Sequence, residues 1–188
     1  MFVENSKIEI VKIEEEIIVV GLSLDKFGFP KQTQKLGEMW SAYESKHRIK
    51  VTTAKTPIVN YGFWFDKPDN DYDYLVGSAV TEVGNISDEL TSCTIPAGRY
   101  IKASFNAKDF GDLVCGNGIK NSFESAKKFA EENNLKIKSM PAKIEVYPHE
   151  LMCVGKENGP EWGPILDDKF ISTPITQYPE MYTLTFIE

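Results

Sequence analysis

The chain has 188 residues, 41% of them hydrophobic and 12% aromatic, a composition that supports a folded core and argues against intrinsic disorder. Its formal net charge of −7 disfavours contact with phosphate backbones, so we expect no direct nucleic-acid binding. The longest apolar run is too short to span a bilayer and the three cysteines are scattered, which together predict a soluble cytoplasmic protein with reduced thiols and no membrane contact.

The first half of the chain predicts strands on either side of a single helix. Residues 7–24 are rich in Ile and Val and predict strand structure that ends at a Gly/Pro cluster. Beyond that cluster the periodicity becomes helical, and one face of the helix carries Leu36, Trp40, Tyr43 and His47. Two further strands are predicted in the segments PIVNYGFWFD and YDYLVGSAVTEV.

The same order of elements returns in the second half. A strand is predicted in TSCTIPAGRYIKASFN, followed by a helix with one stripe at Ile119, Phe123, Ala126 and Ala130. Closing strands are predicted in AKIEVYPHE and EMYTLTFIE. This duplicated β-α-β-β unit, about residues 8–82 and 92–188, predicts a single α+β domain over residues 1–188. We expect an antiparallel sheet, two helices on one face, and a cleft between pseudo-symmetric halves.

A long insertion interrupts the second unit. Residues 150–178 are rich in Gly and Pro and stand where a short hairpin turn would suffice. Long loops in compact domains often act as lids, and others are decoration. The sequence leaves both alternatives open for this loop.

The strand AKIEVYPHE carries polar residues on one face. Alternation places Glu145, Tyr147 and His149 together, opposite Ile144 and Val146. A strand glutamate most often lies on a solvated face, and the alternative is that this face lines a site. For His149 we expect a surface position. The sequence contains no Cys/His cluster and no nucleotide-binding or hydrolase motif, so neither a metal nor another cofactor is expected.

Seven segments follow one another along the chain: VVGLSL, MWSAYES, YGFWFD, YDYLVGSAV, TIPAGRY, KIEVY and EMYTLTF. Their order resembles that of the GyrI-like effector-binding domain family, which includes the ligand-binding parts of multidrug-responsive transcription regulators. The resemblance covers almost the whole chain and implies two β-α-β-β modules with a ligand cleft between them. The internal repeat predicts the same architecture independently.

The resemblance also implies roles for particular residues. The family's acidic strand residue at the base of the cleft matches Glu145, its helix Trp matches Trp40, and its Tyr-Gly strand matches Tyr61. The long loop over residues 150–178, which is larger than the family pattern, adds Trp162 and predicts a reshaped cleft. The predicted ligand-binding residues are therefore Glu145, Tyr147, Tyr61, Trp40, Tyr43 and Trp162.

The chemistry of a buried carboxylate narrows the expected ligand. A carboxylate in an aromatic, low-dielectric cleft is costly to ionise unless a counter-charge arrives, and a lipophilic cation would supply one. We therefore expect a raised pKa for Glu145 in the empty site and ionisation when a cation binds. Each ring over the cation would add roughly 0.5–2 kcal/mol, although strand aromatics most often serve as core residues.

The sequence predicts a standalone effector-binding protein, because no DNA-binding helix-turn-helix precedes the first strand. Its small hydrophobic or cationic ligand would be sensed or sequestered, with a link to transcription regulation through a protein partner. One alternative is a hydrolase of strained cyclopropane-type electrophiles that uses Glu145 as its catalytic residue. Another is an inhibitor of a protein partner such as DNA gyrase.

Overall fold

The structure is a computed structural model. It describes residues 7–55, 59–67, 71–105, 118–138, 142–147 and 181–188. The predicted loop over residues 150–178, with Trp162, lies outside the described residues, and so does His149.

Eight antiparallel strands form one sheet in the order β1-β6-β8-β7-β3-β4-β2-β5. This arrangement confirms the predicted α+β class with an antiparallel sheet. The strands are β1 (Lys7–Ile13), β2 (Ile17–Ser23), β3 (Asn60–Lys67), β4 (Asp71–Val80), β5 (Thr91–Ile95), β6 (Gly98–Phe105), β7 (Ala142–Tyr147) and β8 (Met181–Ile187).

The helical elements differ in regularity. The short helix α1 (Leu24–Phe27) and helix α3 (Gly118–Glu132) are α-helical throughout. Helix α2 (Leu36–Ala42) continues into a π-helical turn (Tyr43–His47) and then a 3₁₀ turn (Arg48–Lys50). We call residues 36–50 the α2 segment. Within the described residues no helix is long and apolar enough to cross a membrane.

The predicted repeat is present, with one addition. Strands β2, β3 and β4 with the α2 segment form one half, and β6, β7 and β8 with α3 form the other. Each half also begins with an extra strand that pairs in the opposite half: β1 pairs with β6, and β5 pairs with β2. The sequence predicted a β-α-β-β unit, and the observed unit is a β-β-α-β-β unit whose first strand is exchanged.

Two short links require the sheet to curl. Residues 14–16 join β1 to β2, and residues 96–97 join β5 to β6, although each pair is six strand spacings apart in the sheet. Six spacings in a flat sheet measure about 29 Å, whereas the β1–β2 link reaches at most about 14 Å. The sheet edges must therefore approach each other. Gly21 and Gly77 pair directly in β2 and β4, where a Cβ atom at Gly21 would overlap the backbone of the neighbouring strand.

The curl separates two core regions. Residues from both edges of the sheet pack on its inner face with the central strands, for example Ile13, Ile95 and Ile144. The outer face carries the helices: Met39 and Tyr43 of the α2 segment pack on β2 and β4, while α3 packs on β6 and β8. Both helices thus lie on one face, as predicted, and the central strands β3 and β7 lie between them.

Candidate ligand-binding site

Glu145 lies at the centre of the outer face. It pairs with Gly62 on β3 and with Thr183 on β8, and it is only 2% exposed. Alternation along β7 directs Val146 to the inner core and Glu145 and Tyr147 to the helical side. The solvated-face alternative is therefore wrong for this strand, because the glutamate is buried.

Three neutral groups donate hydrogen bonds to this carboxyl group. Trp64 Nε1 donates to Oε1 at 2.6 Å, while the hydroxyl groups of Tyr74 and Tyr147 donate to Oε2 at 2.9 and 2.8 Å. Within the described part of the chain, no Lys, Arg or His forms an ion pair with Glu145. The carboxyl group is thus solvated by dipoles alone, and its negative charge has no counter-ion in this part of the protein.

Burial controls the protonation of the cluster. Desolvation raises the pKa of Glu145, against the opposing effect of its three hydrogen bonds. Burial, together with the charge of Glu145, raises the pKa of Tyr74 and of Tyr147 well above the usual range. Both phenols therefore stay protonated at neutral pH and remain hydrogen-bond donors.

Gly62 makes room for these contacts. A Cβ atom at this position would overlap both the hydroxyl group of Tyr74 and Oε2 of Glu145. The space above the central strand pair is therefore filled by the polar tips of side chains from neighbouring strands. Only glycine permits this packing at position 62.

Aromatic rings enclose the polar cluster. Trp40, on α2, donates its Nε1 proton to the Tyr74 hydroxyl group at 3.2 Å and meets the Tyr147 ring edge-on at 4.7 Å between centroids. Trp64 packs against Tyr74 in the same way, also at 4.7 Å. Trp40 is partly exposed, whereas Tyr74 and Tyr147 are buried. Trp40 therefore covers the cluster on the side of the α2 segment.

The structure brings together part of the predicted set. Trp40 and Tyr147 join Glu145, whereas Tyr43 lies farther along the α2 segment and hydrogen-bonds to Ser78. Tyr61 points to the inner face and packs in the inner core, so it does not reach the Glu145 cluster. Trp162 is outside the described residues.

Two residues of the cluster, Trp64 and Tyr74, were not among the predicted site residues. The signal for Trp64 was present in the segment NYGFWFD, because alternation puts it on the face of Gly62 and opposite Tyr61. Tyr74 could be placed only with the register of β4 against β3, in which it pairs with Trp64.

The curled antiparallel sheet and the helices on its outer face match the fold of the GyrI-like effector-binding domains. Residues 9–161 match the sequence model of Cass2, described as integron-associated effector binding protein. This match spans most of the chain, which therefore belongs to the family of integron-associated effector binding proteins. No curated protein sequence is similar enough to count as a relative.

Solved structures share this fold at low sequence identity. The C-terminal domain of EcmrR has a TM-score of 0.59 and 15% identity, over 97% of this chain and 98% of that domain. An integron cassette protein from the mobile metagenome of Vibrio cholerae has a TM-score of 0.53 and 15% identity, over 98% and 100% of the two chains. The structure of SAV2435 bound to tetraphenylphosphonium has a TM-score of 0.59 and 10% identity, over 97% and 94%.

Proposed function

We propose that this protein binds a lipophilic cation beside Glu145, as the ligand-binding step of sensing or sequestration. The observation that carries the proposal is a buried carboxyl group held by three neutral donors and no cation among the described residues. A ligand of positive charge would complete this arrangement. The neighbour SAV2435, whose structure contains the lipophilic cation tetraphenylphosphonium, supports this choice of ligand class.

The existing hydrogen bonds also favour a particular kind of cation. Oε1 already accepts one short bond and Oε2 accepts two, so little acceptor capacity remains in the carboxyl plane. A ligand would gain charge attraction and ring contacts more readily than a new hydrogen bond. Delocalised or quaternary cations, which have no N–H group to satisfy, fit this site better than primary amines.

Access to Glu145 requires a movement of its cover. The carboxyl group is 2% exposed, and Trp40 lies over the phenols that surround it. The α2 segment passes through α-helical, π-helical and 3₁₀ turns, a pattern often found where helices move for function. We infer that the ligand displaces Trp40 and replaces its ring contacts with its own.

Binding should be tested by calorimetric titration of tetraphenylphosphonium and of the neutral compound triphenylphosphine oxide. We expect the cation to bind wild type at least about tenfold more tightly than Glu145→Gln, because one missing charge contact is worth roughly 1.4 kcal/mol or more. The neutral compound should bind both proteins weakly and equally. Tyr100→Phe is the control, since it removes a hydroxyl group that bonds the Pro96 carbonyl oxygen and belongs to the inner core, on the other face of the sheet from Glu145.

Other outcomes would overturn this assignment. Equal cation affinity in wild type and Glu145→Gln would show that the carboxylate does not recognise charge. Turnover of a cyclopropane-bearing electrophile that is lost in Glu145→Gln would instead support the hydrolase alternative. Hydrogen exchange measured with and without the cation separates sensing from sequestration, because a sensor must change its surface when the ligand binds.

A further inference from the structure

A second buried carboxyl group lies on the same face of the sheet. Glu44, in the π-helical turn, is 5% exposed, and its Oε1 accepts a hydrogen bond from Asn60 Nδ2. Its Oε2 lies 2.9 Å from Nε of Arg48, one turn later in the same segment. This carboxylate is paired with a cation of its own chain, whereas Glu145 has none among the described residues.

The contacts of Glu44 continue across the sheet. Ser78 Oγ donates to Asn60 Oδ1 at 2.6 Å, and the hydroxyl groups of Ser78 and Tyr43 are 2.8 Å apart. Because Ser78 gives its one hydroxyl proton to Asn60, Tyr43 donates in the last contact, and its hydroxyl group also lies 3.3 Å from the carbonyl oxygen of Val20. Two consecutive residues of the α2 segment, Tyr43 and Glu44, are thereby fastened to two neighbouring strands, β4 and β3.

These contacts adjoin the Glu145 cluster. Asn60 pairs directly with Tyr147 in the register of β3 and β7, so its side chain lies next to a donor of the cluster on the same face. Trp40 lies three residues before Tyr43, which places both on one side of the helix. The anchored turn therefore begins three residues after Trp40, the residue that covers Glu145.

We propose that Glu44, Asn60 and Ser78, here called the Glu44 latch, are positioning residues that hold the α2 segment against the sheet and keep Trp40 over Glu145. Loosening the latch raises the rate at which the segment opens. The consequence for ligand entry rests on the proposed function, because it assumes that a cation reaches Glu145 from this side. The positioning role itself does not require a ligand.

Hydrogen exchange of the ligand-free protein, followed by mass spectrometry, tests the positioning role. Ser78→Ala removes the hydrogen bonds of Ser78 to Asn60 and to Tyr43 and should accelerate exchange over residues 36–50 by at least about fivefold. Exchange over residues 118–132 should stay as in wild type. The matched control Ser122→Ala deletes a buried hydroxyl group under α3 and should leave residues 36–50 unchanged.

A further variant and a comparison of two regions distinguish local opening of the α2 segment from a general loss of stability. Asn60→Leu removes the links of Asn60 to both Glu44 and Ser78 and should accelerate exchange over residues 36–50 at least as much as Ser78→Ala. Acceleration that is equal over residues 36–50 and 118–132 would overturn the proposal, because it would report global unfolding. Because Ser78→Ala is the mildest change, it decides the question even if Asn60→Leu does not fold.

Stopped-flow binding of tetraphenylphosphonium tests the link to Glu145. The association rate constant should rise in Ser78→Ala by about the same factor as the exchange rate over residues 36–50. Faster exchange with an unchanged association rate would overturn the link between latch and ligand entry. If the cation binds neither wild type nor any variant, the proposed function fails, and the exchange experiment still decides whether the latch positions the segment.

Discussion

Glu145 and Glu44 are two buried carboxyl groups on the same face of the sheet, and they differ in what surrounds them. Glu44 has Arg48 within 2.9 Å and an amide donor from Asn60. Glu145 has two phenols and one indole and, among the described residues, no cation. An isolated buried charge is costly. The first group is paired with a cation of the chain, whereas the second, which has no cation among the described residues, favours its protonated form.

The comparison separates a carboxylate that is paired within the chain from one that has no cation among the described residues. The ion pair of Glu44 joins residues of one segment and, through Asn60, fastens that segment to β3. The hydrogen bonds of Glu145 join β7 to β3 and β4, but their donors are an indole and a phenol, which carry no charge. Burial alone therefore does not distinguish the two carboxyl groups, and the nature of the nearest donors does.

The largest loss of stability should come from removing the cation that is paired with Glu44. Arg48→Met removes the cation and leaves a buried carboxylate, which should lower the free energy of unfolding by about 3–5 kcal/mol. The residual exposure of Arg48, 14% of its side chain, puts the expected value near the lower end. Urea denaturation measures this loss, with Lys46→Met as an exposed control on the same turn. A loss below about 1 kcal/mol would mean that the pair is solvated like a surface ion pair.

The second-largest loss of stability should come from placing a side chain at Gly62, next to Glu145. Gly62→Ala inserts a methyl group where the Tyr74 hydroxyl group and Oε2 of Glu145 now lie. We expect a loss of about 1–3 kcal/mol in unfolding free energy, typical of overpacking, together with a changed near-ultraviolet circular dichroism spectrum of the surrounding rings. An unchanged spectrum and stability would show that the cluster rearranges freely, contrary to its close packing.

A pH series should distinguish a proton-neutralised carboxyl group from its glutamine variant. Because burial raises the pKa of Glu145, the folded state holds this proton more tightly than the unfolded chain does. The added stability is complete below the unfolded pKa, near about 4.3, and is lost as pH rises through the raised folded pKa.

Relative to Glu145→Gln, wild type should therefore lose up to about 1.4 kcal/mol of unfolding free energy per pH unit in that window. Urea denaturation of both proteins across the window measures the difference, and Glu124→Gln on the exposed side of α3 is the control. A difference that grows in favour of wild type as pH rises would contradict the raised pKa.

The smallest loss of stability should come from substituting Trp40, which covers the Glu145 cluster. Trp40→Phe removes the 3.2 Å hydrogen bond to Tyr74 and keeps a ring against Tyr147. We expect a loss of about 0.5–1.5 kcal/mol in unfolding free energy, measured by urea denaturation. Trp40→Ala, which also removes the ring contact, should lose more, and equal losses would show that the ring contributes nothing.

The sequence predicted the fold class and the central glutamate because both depend on short-range patterns. Period-two alternation in AKIEVYPHE separates Glu145 and Tyr147 from Val146, and helical spacing finds Trp40. The partners Trp64 and Tyr74 come from two other strands, so their convergence depends on register between segments far apart in the chain.

The sequence did not predict the burial of Glu44, for a different physical reason. The helical stripe through Trp40, Tyr43 and His47 assumes 3.6 residues per turn. The π-helical turn at Tyr43–His47 widens the spacing, and both Tyr43 and Glu44 then face the sheet. Ideal helical spacing puts this glutamate, four residues after Trp40, at the edge of the apolar stripe, where a charged side chain is usually exposed, so only the structure reveals the buried pair.

The exchange of first strands between the halves has a consequence for how the chain folds. Lys7 of β1 pairs with Ser104 of β6, so β1 stays without its partner until a far later part of the chain has been synthesised. Pairings between such distant residues must be formed against a large loop-closure entropy, which slows folding. Because β5 in turn completes the sheet of the first half, neither half can finish its own sheet alone. The repeat that looks in sequence like two successive modules is thus, in folding terms, one interlocked unit.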